Sequence, residues 1–258
     1  SERFAQAFVL ESRPGAGTNV GTDAVVHAPP DGNTLLLFDP SAAINATLYD
    51  KLTFNFIRDI TPIVCIFRTP LVIVLNPSVP VQTLPEFISY AKANPGRINM
   101  ASAGSGSSSQ LAGELLKDMA GIEMTHIPYR GGGPCDCQSA RWPSGCFLLT
   151  HGYCSGTCPR RQAARTGNDG YARSDALPEI PTVGEFVPDY ETSYWIGLDA
   201  PRNTPAEIVS KLNKEINAAL AEPGTKSRFA DIGGSVVDGS STDFAKPKRR
   251  SGAYIKAE

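Results

Sequence analysis

"AFVLESRPGAGTNVGTDAVVHAPPDGNTLLLF", residues 7–38, sets the fold class. Ala7–Arg13 is apolar and extended, and "PGAGTNVG" is a glycine-rich turn that opens a helix. "TDAVVHA" continues the helix, and "PPDGNTLLLF" is a turn followed by a buried strand. Strand, helix and strand make a β-α-β unit, which predicts parallel strands joined by a right-handed crossover. His27 falls at the helix end, as a partner for its C-terminal dipole.

The alternation continues down the chain. "TPLVIVLNPSVP" (69–80) is a second apolar strand. The spacing predicts a helix over Thr83–Asn94, with Thr83 as N-cap, Glu86 completing a capping box, and Gly96 ending it. "INMASAG" (98–104) is a strand, and "QLAGELLKDMAG" (110–121) a helix with Leu111, Leu115 and Met119 on one stripe. "EMTHIPYRGGG" (123–133) closes this second segment. Past a cysteine-rich stretch, order returns at "SDALPEIPTVGEF" (174–186) and "YETSYWIGLDAP" (190–201). "TPAEIVSKLNKEINAALAEP" (204–223) is an amphipathic helix with Thr204 as N-cap, Glu207 at the box position, and Ile208, Leu212, Ile216 and Leu220 as its apolar face. The fold class is α/β, arranged as two lobes.

Composition narrows function by exclusion. The chain has 258 residues, 41% hydrophobic and 19% charged, with a net charge of −2. That balance gives no electrostatic case for nucleic acid or an anionic membrane. No apolar run approaches the roughly 18–20 residues that cross a bilayer. The chain opens abruptly, as a helix end running into a strand, and carries no signal peptide, which suggests a clipped or processed chain.

Two glycine-rich turns are candidate sites. "PGAGTNVG" follows a strand and opens a helix, but its spacing is G-x-G-x-x-x-G and no phosphate-loop motif occurs, so the glycines are read as relieving a tight turn. "ASAGSGSSSQ" (101–110) is more informative. Its glycines and serines bring backbone N–H groups, hydroxyls and a helix dipole to one spot, suited to a carboxylate or a phosphate. The alternative is a flexible, well-capped loop. Catalysis has little support: Ser105 is not in a G-x-S-x-G elbow, His126 sits in apolar "MTHIPY" as a packed, hydrogen-bonded side chain, and the acidic residues show no pairing. The residues by themselves give little ground for an enzyme.

"ESRPGAGTNVGTDAVVHAPPDGNTLLLF", "LVIVLNPSVPVQTLPEFISYAKANPGRINMASAGSGSSSQLAGELLKDMAGIEMTHIPYRGGGP" and "RSDALPEIPTVGEF" together resemble the extracytoplasmic solute receptors of tripartite tricarboxylate transporters, the Bug family. The likeness runs from the start to about Pro134, and from about Arg173 to Ala245. It implies a type II periplasmic binding protein, a Venus flytrap with parallel-rich sheets and crossover strands. Lobe one would comprise residues 1–75 and 192–258, without the family's first strand, and lobe two residues 76–191. The implied ligand is a small carboxylate: a di- or tricarboxylate, an acidic amino acid or an aromatic acid. The resemblance further implies no cofactor, membrane transporter subunits as partners, no membrane insertion, a monomer, and a periplasmic location. By motif it places ligand contacts at Ser102, Gly104, Ser105, Gly106 and Ser107, at Ser41 and Ala42 in the loop Asp39–Asn45, at Tyr129, and at Gly17, Thr18 and Asn19.

Residues 134–162, "PCDCQSARWPSGCFLLTHGYCSGTCPRRQ", hold five of the six cysteines. His151, Cys154 and Cys158 have spacings that zinc accepts, so a zinc- or redox-active module is the rival reading. A disulfide set is open too. A third hypothesis explains more. Back-translated and read from shifted bases, Arg160–Ala172 joins directly onto "SDALPEIPTVGEF" in the family's pattern, and residues from about 246 to 252 behave alike. On that hypothesis residues from about 135 to 172 are frameshifted, lobe two is loosely packed there, and the chain is a degraded copy that binds nothing or a receptor with a damaged lobe. An intact coding frame, with no homologous reading beside it, would sink the idea.

Overall fold

Short apolar runs become strands in this chain, and amphipathic runs become helices. The computed structural model describes residues 2–13, 15–49, 51–76, 78–129, 131, 145–150, 164–168, 178–192 and 194–237, with 145–150 and 164–168 described by backbone. In chain order the strands are β1 (Leu36–Phe38), β2 (Ile60–Thr69), β3 (Leu71–Leu75), β4 (Ile98–Ser102), β5 (Met124–Pro128), β6 (Gly145–Thr150), β7 (Ala164–Asn168), β8 (Tyr194–Pro201) and β9 (Ser235–Val236). The α-helices are α1 (Asn19–Val26), α2 (Ser41–Leu48), α3 (Leu84–Ala93), α4 (Ser108–Ala120), α5 (Ala206–Leu220) and α6 (Pro223–Asp231). Two units form: Ser1–Phe67 with Trp195–Lys226 and Val236–Glu258, and Arg68–Tyr194 with Ser227–Ser235. No helix among the described residues is long and apolar enough to cross a membrane.

Unit one is built on a sheet of order β1-β8-β2-β9. Trp195 of β8, 2% exposed, stands edge-on to Phe38, and Phe38 edge-on to Phe56. Val25 of α1, Ala42 and Ala43 of α2, and Cys65 of β2 complete this core. The β-α-β expectation for residues 7–38 fails at its first strand. Ala7–Arg13 makes no backbone hydrogen bond among the described residues, and Val9 and Leu10 are 89% and 91% exposed. β1 pairs antiparallel with β8 instead, Leu37 opposite Leu198. Apolar alternation supplies strand propensity, but a strand exists only where a second strand completes its ladder.

Helix α5 buries Val209, Leu212 and Leu220, and Asn213 Nδ2 donates to the Ile63 carbonyl at 2.7 Å. Thr204 is not its cap. Its hydroxyl donates to the Pro201 carbonyl at 2.8 Å, and the N-cap position falls to Pro205. Beside this helix, Asp59 is the electrostatic tie of the unit. Its carboxylate accepts from Arg58 Nε at 2.6 Å and from the Asn55 N–H at 2.7 Å, with Arg202 at 3.8 Å. The Arg58 hydrogen bond, foremost, pulls its pKa down to about 2 against the opposing effect of burial. A depressed carboxylate pKa stabilises the fold above the unfolded value and loses that contribution as pH falls through the folded one. Acid unfolding between about pH 4 and pH 2 is therefore expected to begin at higher pH in Asp59→Asn. Circular dichroism against pH, with coincident curves as the refuting outcome, checks it.

Unit two has the order β5-β4-β6-β3-β7. β4 runs parallel to β5 and β6, while β3 runs antiparallel to β6 and β7, so the sheet is mixed. All five residues of β3 are buried, as expected of an internal strand covered on both faces. Its core joins Ile73 and Leu75 to Phe87 of α3, Met100 of β4 and Leu116 of α4. The buried stripe of α4 is Ala112, Leu116 and Ala120, with Leu115 and Met119 packed at its margin, one position round from the predicted stripe. Packing selects the smaller residues because they let the helix approach the sheet closely. The capping box of α3 forms as predicted: Thr83 Oγ1 accepts from the Glu86 N–H and Glu86 Oε2 from the Thr83 N–H. Thr83→Ala should cost about 1 kcal/mol, measurable by urea denaturation.

Gly145–Thr150, inside the cysteine stretch, is a strand between β4 and β3, while the packing expected to be loose there lies outside the described residues. "GCFLLT" is a short apolar run of strand-forming residues, which suffices to fill that ladder. His151, Cys154 and Cys158 lie outside the described residues, as does the 246–252 segment. Among the described residues no three His, Cys, Asp or Glu side chains are grouped to hold a metal ion.

Candidate functional site

In unit two the site grows from the connection between β4 and α4. The chain must leave the sheet, reverse and start a helix within residues 103–107, and only glycine permits the route it takes. Gly104 has φ +135° and Gly106 φ +79°. A Cβ on Gly104 would stand 2.9 Å from the Tyr129 carbonyl oxygen, since the strand leaving β5 runs alongside. The Tyr129 N–H donates to the Ser102 carbonyl at 3.0 Å, and the Gly131 N–H to the Ala103 carbonyl at 2.9 Å.

The serines divide their labour. Ser107 is the N-cap of α4: its hydroxyl accepts from the Gln110 N–H at 3.3 Å and donates to the Gly104 carbonyl at 2.6 Å. Ser109 Oγ accepts from the Ala103 N–H at 3.0 Å, and Gln110 Oε1 from the Gly106 N–H at 2.7 Å. Ser102 is fully buried, accepts from the Gly104 N–H at 3.2 Å, and lies 2.7 Å from His126 Nε2. These groups build the loop. What they leave over is the chemistry: the N–H groups of Ser105, Ser108 and Ser109 have no partner among the described residues, nor does the buried hydroxyl of Ser108. Ser105 itself is exposed. Three N–H donors and a hydroxyl at the positive end of a 13-residue helix suit an anion. No charged side chain occurs in residues 101–110, so the loop's donors are oriented dipoles.

Unit one carries the other candidates. Ala16, Gly17 and Thr18 all have positive φ, at 46°, 58° and 78°, an uncommon conformation for a β-branched residue such as Thr18. The turn is tied down by Asn45 of α2, whose Nδ2 donates to the Gly17 carbonyl and to Asn19 Oδ1. Asn19 Nδ2 and Asn45 Oδ1 are buried without partners among the described residues. Asp39–Asn45, read from sequence as a loop, is instead largely helix: Asp39 Oδ1 accepts from the Ser41 N–H at 2.8 Å and starts α2. Ser41 and Ala42 are buried, 5% and 1% exposed.

Ser108 and Gln110 lie inside the 101–110 loop and Asn45 inside Asp39–Asn45, but the sequence did not single them out, and it gave no sign of the bond between Ser102 and His126. Ser107-x-x-Gln110 has capping-box spacing, so the signal for Gln110 was present, and Asp39-x-Ser41 has the spacing of an Asx turn, which would have marked the start of α2. The Asn45 tie and the Ser102–His126 bond are non-local and leave no local pattern. His27 does sit at the end of α1, its Nδ1 2.9 Å from the Asp23 carbonyl.

Two α/β units, one with unpartnered N–H donors at a helix start, are the makings of a solute-binding protein, and known proteins point the same way. The sequence model of the Tripartite tricarboxylate transporter family receptor (TctC) matches residues 1–141 and 154–257. Protein BugT of Bordetella pertussis is 32% identical over 92% of this chain and 73% of its own length. The UPF0065 protein in the tcbD-tcbE intergenic region of Pseudomonas sp. strain P51 is 32% identical over 93% and 72%. Among solved structures, R. palustris Rpa4515 with adipate superposes with a TM-score of 0.92 at 28% identity, covering 99% of this chain and 86% of that one. Rhodopseudomonas palustris MatC (Rpa3494) with bound malate gives 0.88 at 25%, over 99% and 89%. The periplasmic binding protein BugD gives 0.88 at 25%, over 98% and 86%. The fold is that of the two-lobe periplasmic solute-binding proteins. The chain belongs to the tripartite tricarboxylate transporter receptor family, the Bug receptors.

Proposed function

We propose that this protein is a periplasmic receptor that captures a small carboxylate and hands it to the membrane subunits of a tripartite tricarboxylate-type transporter, as a monomer and without catalysis. The observation that carries the reading is the start of α4, where the Ser105, Ser108 and Ser109 N–H groups and the Ser108 hydroxyl are left without partners among the described residues. Adipate and malate in the related structures support a dicarboxylate. Ser105, Gly106 and Ser107 present the carboxylate loop, which Ser102, Gly104 and Tyr129 hold in shape. In unit one, Gly17, Thr18, Asn19, Ser41 and Ala42 are the candidate contacts, with the unpartnered Asn19 amide the strongest donor.

Thermal unfolding against adipate, malate, aspartate, a tricarboxylate and an aromatic acid tests the reading. A bound class at about 100 times its Kd should stabilise the protein by about 2.7 kcal/mol. Ser108→Ala should weaken that ligand roughly tenfold, the worth of one hydrogen bond to a charged group. A panel without any stabilising member would overturn the assignment.

A further inference from the structure

We propose that His126 is a positioning residue for the carboxylate loop, setting through Ser102 the direction of the loop's hydroxyl hydrogens, so that capture tightens as the imidazole takes up a proton. The inference rests on the carboxylate reading of that loop. It starts from a count of hydrogens. Ser102 Oγ, fully buried, has one hydrogen and two acceptors in reach, His126 Nε2 at 2.7 Å and the Gly104 carbonyl at 3.2 Å. A neutral imidazole with its lone pair on Nε2 takes that hydrogen.

Protonation reverses the arrangement. The imidazolium donates Nε2–H to Ser102 Oγ, and the Ser102 hydrogen turns to the Gly104 carbonyl. That carbonyl already accepts from the Ser107 hydroxyl at 2.6 Å and the Ser107 N–H at 3.2 Å. Its two lone pairs cannot serve three donors well. The Ser107 hydroxyl is the donor that can rotate away; its hydrogen passes to Ser109 Oγ at 3.1 Å, which leaves the Ser109 hydrogen to turn outward at the start of α4, while the loop gains a positive charge beneath it. Both changes favour a bound anion.

Among the described residues the ionisable groups around His126 are few. Glu114 and Lys117 of α4 face it, paired with each other at 2.6 Å. β4 and β5 carry no other ionisable side chain. Burial, the largest influence, holds the imidazole below its ordinary pKa, with Glu114 opposing and Lys117 adding. His126 is thus neutral at neutral pH and charges on acidification. A bound carboxylate must raise its pKa, and affinity must rise as pH falls through that value.

The test uses the full chain, adipate and malate as probes, and His126→Gln, which keeps an acceptor for Ser102 but does not titrate. Calorimetry from about pH 8 to about pH 5.5 should show affinity rising roughly three- to tenfold more in the parent than in the variant, one pKa unit being tenfold. Subtracting the variant's profile removes the ligand's own ionisation. Parallel profiles overturn the proposal. If neither probe binds, the carboxylate reading loses its support, and the positioning role is judged on the unliganded chain by NMR. There the Gly104 and Ser107 amide shifts must follow the His126 Hε1 titration in the parent and lose that dependence in Ser102→Ala, where His126 still titrates. Amide shifts that ignore His126 overturn the inference whether or not a ligand is found.

Discussion

Gly104→Ala is expected to cost the protein about 2–4 kcal/mol and to weaken carboxylate binding by roughly 30-fold or more. Two independent penalties meet at this residue. At φ +135° an L side chain is strained wherever it sits, and here its Cβ would also lie 2.9 Å from the Tyr129 carbonyl oxygen. That oxygen belongs to backbone pinned by the Tyr129 N–H on the Ser102 carbonyl, so it cannot swing aside like a flexible side chain. The loop must give way instead. The Gly104 carbonyl accepts from Ser107, and its N–H is held by Ser102, so displacement carries both the N-cap and the free N–H groups with it. Gly96→Ala is the control. Gly96 also has positive φ, +69°, but its Cβ would meet nothing within 4 Å, so only the conformational cost of about 1 kcal/mol should appear, without any effect on binding. Urea denaturation and calorimetry on both variants decide the matter. Equal losses would show that crowding against Tyr129 is unimportant.

Trp195→Ala should be more damaging still to stability, by about 3–5 kcal/mol for the lost side chain and its cavity. Trp195 is 2% exposed, its ring 5.4 Å from that of Phe38 at 87°, and Phe38 in turn lies 5.0 Å from Phe56 at 64°. Such edge-to-face pairs add about 0.5–1.5 kcal/mol beyond area burial. Against a total stability of about 5–15 kcal/mol the loss is a large fraction. Trp195→Phe keeps a ring against Phe38 and should recover most of it. Near-ultraviolet circular dichroism during urea unfolding reports the aromatic cluster directly. An alanine variant within about 1 kcal/mol of the parent would mean that the cluster is not the core it looks to be.

Family-level features were readable from the chain alone, because they depend on local order. Glycine spacing, the capping box at Thr83 and Glu86, the apolar run of β3 and the serine-rich start of α4 are contiguous signals, each with a short-range physical cause. The same locality explains the misses. Ala7–Arg13 has the composition of a strand yet pairs with none of the described strands, with Val9 and Leu10 in solvent. Thr204 looks like a cap, but its hydroxyl is taken by the Pro201 carbonyl. The α4 stripe is offset by one residue, since packing against the sheet favoured Ala112 and Ala120 over longer neighbours.

The loop before α4 divides along the same line. By itself the sequence determined that residues 101–110 are rich in hydroxyls and N–H donors ahead of a helix. Only the tertiary structure decided which of those donors are spent and which remain. Ser102, Ser107, Ser109 and Gln110 are consumed in building the turn, and the Ser108 hydroxyl with three N–H groups is left over. The turn that makes this allocation is itself held from a distance, by the Tyr129 N–H on the Ser102 carbonyl and by His126 on Ser102 Oγ, more than twenty residues away along the chain. A hydrogen bond is a contact in space, and composition cannot say which partner arrives first.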